Sequence, residues 1–348
     1  VTVFAPPDPE VHDAWQALRL ADEYTAPRIR AEIERLAEPV RTVALYHFGW
    51  SDKDGTGVRA SRGKGVRGAL VLATARALGC PPENAARAGA AVELVHNFSL
   101  LHDDLMDADH SRRGRPAAWT VFGPAQAILA GDALLVLALD LLTHDARPAQ
   151  RGTMADEMCR TLLELVAGQG ADLAFEGRLD VSLDECLTMT ANKTASLLAG
   201  ACAIGALTAA AEPYQVGVLR AFGHHLGLAF QLMDDFLDIW GDPDVTGKPV
   251  GSDLRQRKKS LPVVAALHSG TDAGRALGEF YDSPSPMTDE EAAQAMRLLE
   301  AAGAREWVQD ELGRHHSRAL EQLAIASLDP TSSRDLYSLP DLVIRRDH

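Results

Sequence analysis

Apolar residues recur at spacings of three and four along almost the whole of this 348-residue chain. The stretches "AWQALRLADEYTAPRIRAEIERLAEPVRTVALYHF", "GALVLATARALG", "ENAARAGAAVELVHNFSLLHDDLMD" and "AQAILAGDALLVLALDLL" all show it, and that period lays one apolar stripe along a helix. No run alternates, as a half-buried strand does, over a useful length. Proline and glycine punctuate the helical stretches at "GWSDKDGTG" (49–57), "RRGRPAA" (112–118), "GDPDVTGKPVGSD" (241–253) and "YDSPSPMTD" (281–289). The expected fold class is all-α, a large single-domain bundle of antiparallel helices with no linker. Residues 1–13 and 328–348, rich in Pro, Asp or Ser, read as a loosely held extension and tail around a helical domain of 14–327.

Two of these helices carry acidic triplets, "HDDLMD" (102–107) and "MDDFLD" (233–238). At about 100° of turn per residue, Asp103 and Asp107 point within roughly 40° of each other and Asp104 lies about 100° round. Asp234, Asp235 and Asp238 repeat the pattern. Like charges four apart cost a helix roughly 0.2–0.5 kcal/mol, and unpaired buried carboxylates cost more. Apolar flanks therefore call for a compensating cation. Magnesium fits: it takes one or two carboxylates and completes its shell with waters and phosphate oxygens. Two solvated acidic faces are the plainer alternative, weakened by the Leu, Phe and Met around both triplets.

The chain holds 49 Asp and Glu against 34 Lys and Arg, a net charge of −15, which argues against nucleic acid or an anionic membrane as the main partner. Basic residues nevertheless cluster in "RGKGVR" (62–67), "RRGR" (112–115) and "RQRKK" (255–259). In an acidic protein such clusters point to anion sites, and two of them follow the acidic triplets closely. Cys80, Cys159, Cys186 and Cys202 show no CxxC spacing, which fits a cytoplasmic protein without a zinc site or disulfide framework. The first residues, "VTVFAPPDPEVHD", lack the features of a signal peptide. The run "ASLLAGACAIGALTAAA" (195–211) falls short of a membrane span and reads as a buried helix, so no transmembrane segment is expected.

Six motifs in order, "GKGVR", "ELVHNFSLLHDDLMDADHSRRGRP", "GDALL", "GQGADL", "NKTASLL" and "GLAFQLMDDFLDIWGDPDVTGKPVGSDLRQRKKSLP", span residues 63–262. With their spacing, they resemble the trans-isoprenyl diphosphate synthases. That resemblance implies an isoprenoid-synthase bundle around a central active-site cavity, isopentenyl and allylic diphosphates as substrates, a homodimer, and magnesium, three ions with the bound diphosphate. It assigns Asp103, Asp107 and Asp234 as principal metal ligands, supported by Asp104, Asp235 and Asp238. Arg112, Lys193, Thr194, Gln231, Lys248 and Lys258 match the allylic diphosphate site. Lys64, Arg67, His96 and Arg113 match the isopentenyl diphosphate site. One departure stands out: the basic motif usually ends in proline, and Gly68 stands there instead.

The resemblance also places the chain-length pocket at Phe98, Ser99, Val95 and Val92. An aromatic at 98, a small residue at 99 and an uninterrupted DDxxD resemble synthases of twenty-carbon products, with farnesyl and longer-chain synthases as alternatives. On an ideal helix Phe98 points well away from the aspartates, so geometry alone does not select it. Three rivals remain. A class I terpene cyclase shares DDxxD but is expected to carry a different second metal motif. A phosphohydrolase with His102–Asp103, His47 and His96 as ligands leaves the second triplet unexplained. A non-catalytic partner subunit is expected to have lost aspartates that are present here.

Overall fold

The helical period is realised in α1 (Pro9–Ile33), α2 (Val40–His47), α3 (Val66–Ala77), α4 (Pro82–Met106), α5 (Ala118–Phe122), α6 (Pro124–His144), α7 (Pro148–Glu176), α8 (Leu183–Thr190), α9 (Ser196–Thr208) and α10 (Pro213–Trp240). Shorter helices and the long Ala304–Ala326 follow. The structure, a computed structural model, describes residues 9–58, 60, 63–144, 148–178, 180–242, 250–282 and 285–344. Lys248 and Arg62 lie outside the described residues.

Packing groups the chain into two compact units that interleave in sequence. One takes 1–159, 200–219 and 327–338, the other 160–199, 220–326 and 339–348. The sequence offered no linker because four of the five boundaries fall inside helices α7, α9 and α10 and the last helix, Arg334–Ile344.

In the first unit α4 packs against α1, α3 and α6. A helix covered on so many sides must be apolar most of the way round, and Val92, Leu94, Val95 and Leu101 are all buried. Pro82 sits in its first turn, where a missing N–H costs nothing. The helix closes at Asp107, whose N–H still donates to the Asp103 carbonyl at 2.9 Å. Ala108 then turns left-handed, with φ 54°. A hairpin follows, β1 (Ser111–Arg112) against β2 (Arg115–Pro116). Its turn residues Arg113 and Gly114 both have positive φ, 55° and 73°, as a type I′ turn demands. Two-residue strands carry no period, so "RRGR" could not be read as a hairpin.

Helix α6 packs along α4 and α2, burying Leu134, Leu137, Leu141 and Leu142. By length and composition alone Pro124–Thr143 is long and apolar enough to cross a membrane. Ile128, Leu129 and Val136 remain exposed on it.

Among the described residues, parts of the stretches read as a loose extension and tail are helical. Helix α1 begins at Pro9, and the stretch read as a loose tail forms the helix Arg334–Ile344. Asp335 pairs with Arg76, Ser332 donates to the Ala77 carbonyl at 3.3 Å, and Leu336 is fully buried. Pro340 lies inside that helix and disguised it.

The second unit is built on Phe175, Cys186, Leu232, Leu261, Val264 and Val308, with a further cluster around Ile239, Leu277, Tyr281 and Leu299. Here the basic cluster 255–259 departs from the expectation of an anion site. Arg257 and Lys259 are buried. Arg257 donates to the Ser285 and Phe280 carbonyls, Lys259 to the Glu176 carbonyl at 3.2 Å, and Arg255 pairs with Asp289. Arg257 and Lys259 thus satisfy backbone carbonyls, those of Phe280 and Glu176 at helix C-termini, as buried charges must find partners. Lys258 lies half-buried between them.

Candidate active site

The first acidic motif ends α4. Asp103 and Asp107 are half-buried, whereas Asp104 is turned inward. The hairpin returns Arg112 to it: Arg112 Nε donates to Asp104 Oδ1 at 2.7 Å and Nη2 donates to the same oxygen. Burial pushes the Asp104 carboxyl above its ordinary range, and the Arg112 bonds work against that rise. Its second oxygen is buried with no hydrogen-bond partner.

Beside this motif lies a cationic group from three elements. In the "GKG" loop Gly63 and Gly65 both take left-handed φ, 83° and 64°, which a side chain disfavours. A Cβ on Gly63 would also stand 3.2 Å from the Arg113 guanidinium. Arg67, in the first turn of α3, lies 3.1 Å from His96 Nε2. An arginine only donates, so that nitrogen accepts and His96 is neutral. Burial first, then Arg67, Arg113 and Arg112, hold its pKa well below the usual value. Arg113 Nη2 donates to Asn97 Oδ1 at 3.3 Å, while its Nη1 is buried with no partner. Arg113 also lines a small cavity with Tyr46, His47, Arg112 and Arg115. His47 is pushed down to about 3 by burial and by Arg113 and Arg112. His47 and His96, weighed as metal ligands for a phosphohydrolase, thus sit among arginines, which repel a metal cation.

Sequence reasoning passed over Glu93 and Asn97. Glu93 is buried in α4, and its Oε1 accepts the Gly68 N–H at 2.7 Å. A charged residue inside "AAVELVHNF" was the available signal, since carboxylates are almost never buried unless partnered.

In the chain-length set Val92 and Val95 are fully buried and Phe98 nearly so. The Phe98 ring meets His102 edge-on at 4.9 Å. His102 Nε2 lies 3.1 Å from the Ile128 carbonyl, and Ser99 Oγ donates to the His96 carbonyl at 2.8 Å.

The second motif lies in α10. Asp234 and Asp238 are half-buried and Asp235 is buried, repeating the division seen in the first motif. Asp238 Oδ2 accepts the Asp253 N–H at 3.2 Å. Asp235 accepts from Gln231 Nε2 at 2.8 Å and from the Leu261 N–H at 3.1 Å. Burial nonetheless pushes its carboxyl up to about 8. Gln231 in turn accepts from the Thr194 hydroxyl at 2.8 Å, which accounts for an amide set among Phe and Leu.

Lys193 and Thr194 belong to a single π-helical turn, Ala191–Ala195, between α8 and α9. Such turns often mark functional positions. Glycines from two helices let it pack closely: a Cβ on Gly168 would fall 2.2 Å from the Lys193 nitrogen, and one on Gly227 2.5 Å from Ala195 Cα. Lys193 Nζ pairs with Asp172 at 2.6 Å. Asp172 lies in "GQGADL", where the sequence alone does not mark it as the partner of Lys193.

A model of the polyprenyl synthetase family matches residues 56–299. This chain belongs to the polyprenyl synthetase family. Its relatives in that family include the (2E,6E)-farnesyl diphosphate synthase of Mycobacterium tuberculosis, 43% identical over 98% of this chain and 97% of that protein. They also include the geranylgeranyl diphosphate synthase of the same organism, 45% identical over 92% of this chain and 91% of that protein. Among solved structures, the polyprenyl synthetase from Streptomyces coelicolor A3(2) superposes with a TM-score of 0.91 at 45% identity, covering 95% of this chain and 99% of that one. The all-α isoprenoid-synthase fold follows.

Among the described residues no three carboxylate, imidazole or thiol groups form a ready-made metal cage. Each motif instead offers half-buried carboxylates four residues apart. A polyprenyl synthetase whose donors are all oxygens, with room left in the shell for water and phosphate oxygens, suits a hard divalent cation.

Proposed function

We propose that this prenyl diphosphate synthase joins isopentenyl diphosphate head-to-tail to an allylic diphosphate with magnesium, and that its main product has twenty carbons. Asp103, Asp107 and Asp234 would hold the metal, with Asp104, Asp235 and Asp238 supporting them. When bound, it offsets the negative charge that develops on the departing diphosphate. Arg112 and Lys193, each held by a carboxylate, are fixed cations for the allylic diphosphate, with Thr194, Gln231, Lys248 and Lys258 completing that site. Lys64, Arg67 and Arg113 bind the diphosphate of isopentenyl diphosphate, and neutral His96 orients Arg67. The allylic C–O bond breaks, the double bond of isopentenyl diphosphate is alkylated, and the proton lost passes to the released diphosphate. Fixed cations stabilise that leaving group best where water is excluded.

The observation that carries the reading is the pair of acidic motifs, each with one carboxylate buried and two half-buried. For product length it is Phe98, five residues before Asp103 and packed against His102. Relatives of similar identity carry both farnesyl and geranylgeranyl names, which leaves the length to Phe98. The test is incubation with labelled isopentenyl diphosphate and five-, ten- and fifteen-carbon allylic primers, with and without magnesium. A magnesium-dependent twenty-carbon product is expected, and Phe98→Ala should lengthen it. A fifteen-carbon product retains the synthase and overturns the length; no incorporation with any primer overturns both.

We also propose a homodimer through the exposed apolar residues of α6, whose Leu129 is 50% and Val136 65% exposed.

A further inference from the structure

Helix α3 begins without a cap of its own. Its N-cap, Gly65, is left-handed and has no side chain to accept the orphan N–H groups of the first turn. The N–H of Gly68, third in the helix, is instead taken at 2.7 Å by Glu93 Oε1 from α4. A proline here would have no N–H to give. A Cβ at 68 would also stand 3.0 Å from Glu93 Cγ, so glycine provides both the donor and the room. The same turn of α3 carries Arg67, immediately before Gly68.

Glu93 also stands at the foot of the remaining cationic group. His96 and Asn97 follow it on the next turn of α4, and Asn97 Nδ2 donates to the Glu93 carbonyl at 2.8 Å. Asn97 in turn accepts from Arg113. Arg113 is partly desolvated, which disfavours its charge, and Glu93 is foremost among the carboxylates that oppose this. A carboxylate at a helix N-terminus is favourable in its own right.

We propose that Glu93 is a positioning residue for isopentenyl diphosphate, capping α3 from α4 so that Arg67 and Arg113 are held toward one diphosphate. The inference rests on the proposed assignment of Lys64, Arg67, His96 and Arg113 to that substrate.

Isothermal titration of the full chain with isopentenyl diphosphate, and separately with geranyl diphosphate and magnesium, tests it. Glu93→Gln keeps an acceptor for Gly68 but loses the charge. It should weaken isopentenyl diphosphate about tenfold, the scale of one charge-assisted hydrogen bond, and leave geranyl diphosphate unchanged. Gly68→Pro removes the donor while keeping Glu93, and carries the test if Glu93→Gln does not fold. It should show the same selective loss, and the double variant should lose less than the sum. Equal weakening of both ligands, or none, with the wild type binding both, overturns the role of Glu93 alone. A wild type that binds neither overturns the site assignment and this inference with it.

Discussion

Arg112 reaches back from the hairpin and closes on a single oxygen of Asp104 with two of its nitrogens. The middle carboxylate of the first acidic motif is therefore buried on a cation, while Asp103 and Asp107 on either side are half-buried. Arg112→Ala leaves a carboxylate only 1% exposed without its cation and should cost roughly 3–5 kcal/mol of stability. Urea unfolding measures it. Asp104→Asn in the Arg112→Ala background should recover part of the loss; no recovery would mean that the pair is not what Arg112 contributes.

Asp103→Asn and Asp234→Asn should behave differently from Arg112→Ala. Both positions are half-buried, so folding by circular dichroism should be nearly unchanged. Turnover should fall roughly 100- to 1,000-fold, equivalent to several kcal/mol of lost charge stabilisation. Chelating divalent ions from the wild type should give a comparable fall, reversed by adding magnesium.

Gly168→Ala places a methyl group 2.2 Å from the Lys193 backbone nitrogen. Backbone cannot swing aside as a side chain can, so a loss of about 1–3 kcal/mol is expected, with weaker binding of the allylic substrate as Lys193 and Thr194 shift. A thermal melt and a substrate titration report the two effects. A melt equal to wild type would show that α7 can move away from the π-turn.

Acid should destabilise the fold through His225 and His315, whose Nδ1 atoms lie 3.1 Å apart. Burial first, then neighbouring histidine and arginine charges, push each down to about 4. A histidine depressed in the folded state contributes stability above its unfolded pKa near 6.5. That stability is lost as pH falls from there toward 4, at up to about 1.4 kcal/mol per pH unit for each. The melting temperature should therefore drop between pH 7 and 5, and His315→Gln should flatten the slope. An unchanged slope would remove the pair from the account.

Val136→Lys on α6 should convert a dimer to a monomer in sedimentation velocity without unfolding the chain, because Val136 is 65% exposed. A wild type that already sediments as a monomer would end the proposal of a homodimer through α6.

Periodicity was enough to show the helices, because burying one face of a helix leaves a mark every three or four residues. Clustered charge also marked both acidic triplets and the basic residues at 63–67. Other features leave no such mark. The hairpin at 111–116 has strands too short to alternate, and the last helix contains Pro340. The π-turn at Lys193 is one extra residue in a helical run, invisible to a 3.6-residue period. Charge clustering misled at Arg257 and Lys259, because a count of cations does not distinguish those facing solvent from those satisfying backbone carbonyls. Glu93 was hidden for the opposite reason: its partner is a backbone N–H on another helix.

The interleaving of the two units bears on how the protein is made. The first unit includes residues 327–338, and Asp335 pairs with Arg76, 259 positions earlier. A ribosome working from the N-terminus has exposed α1 to α6 long before that partner is synthesised. Until then α3 lacks the Arg76–Asp335 pair and the Ser332 bond to its Ala77 carbonyl. The nascent chain must carry unfinished apolar surface through most of its synthesis, the condition in which aggregation competes with folding. A small loss at the C-terminus would accordingly be felt among the first helices translated.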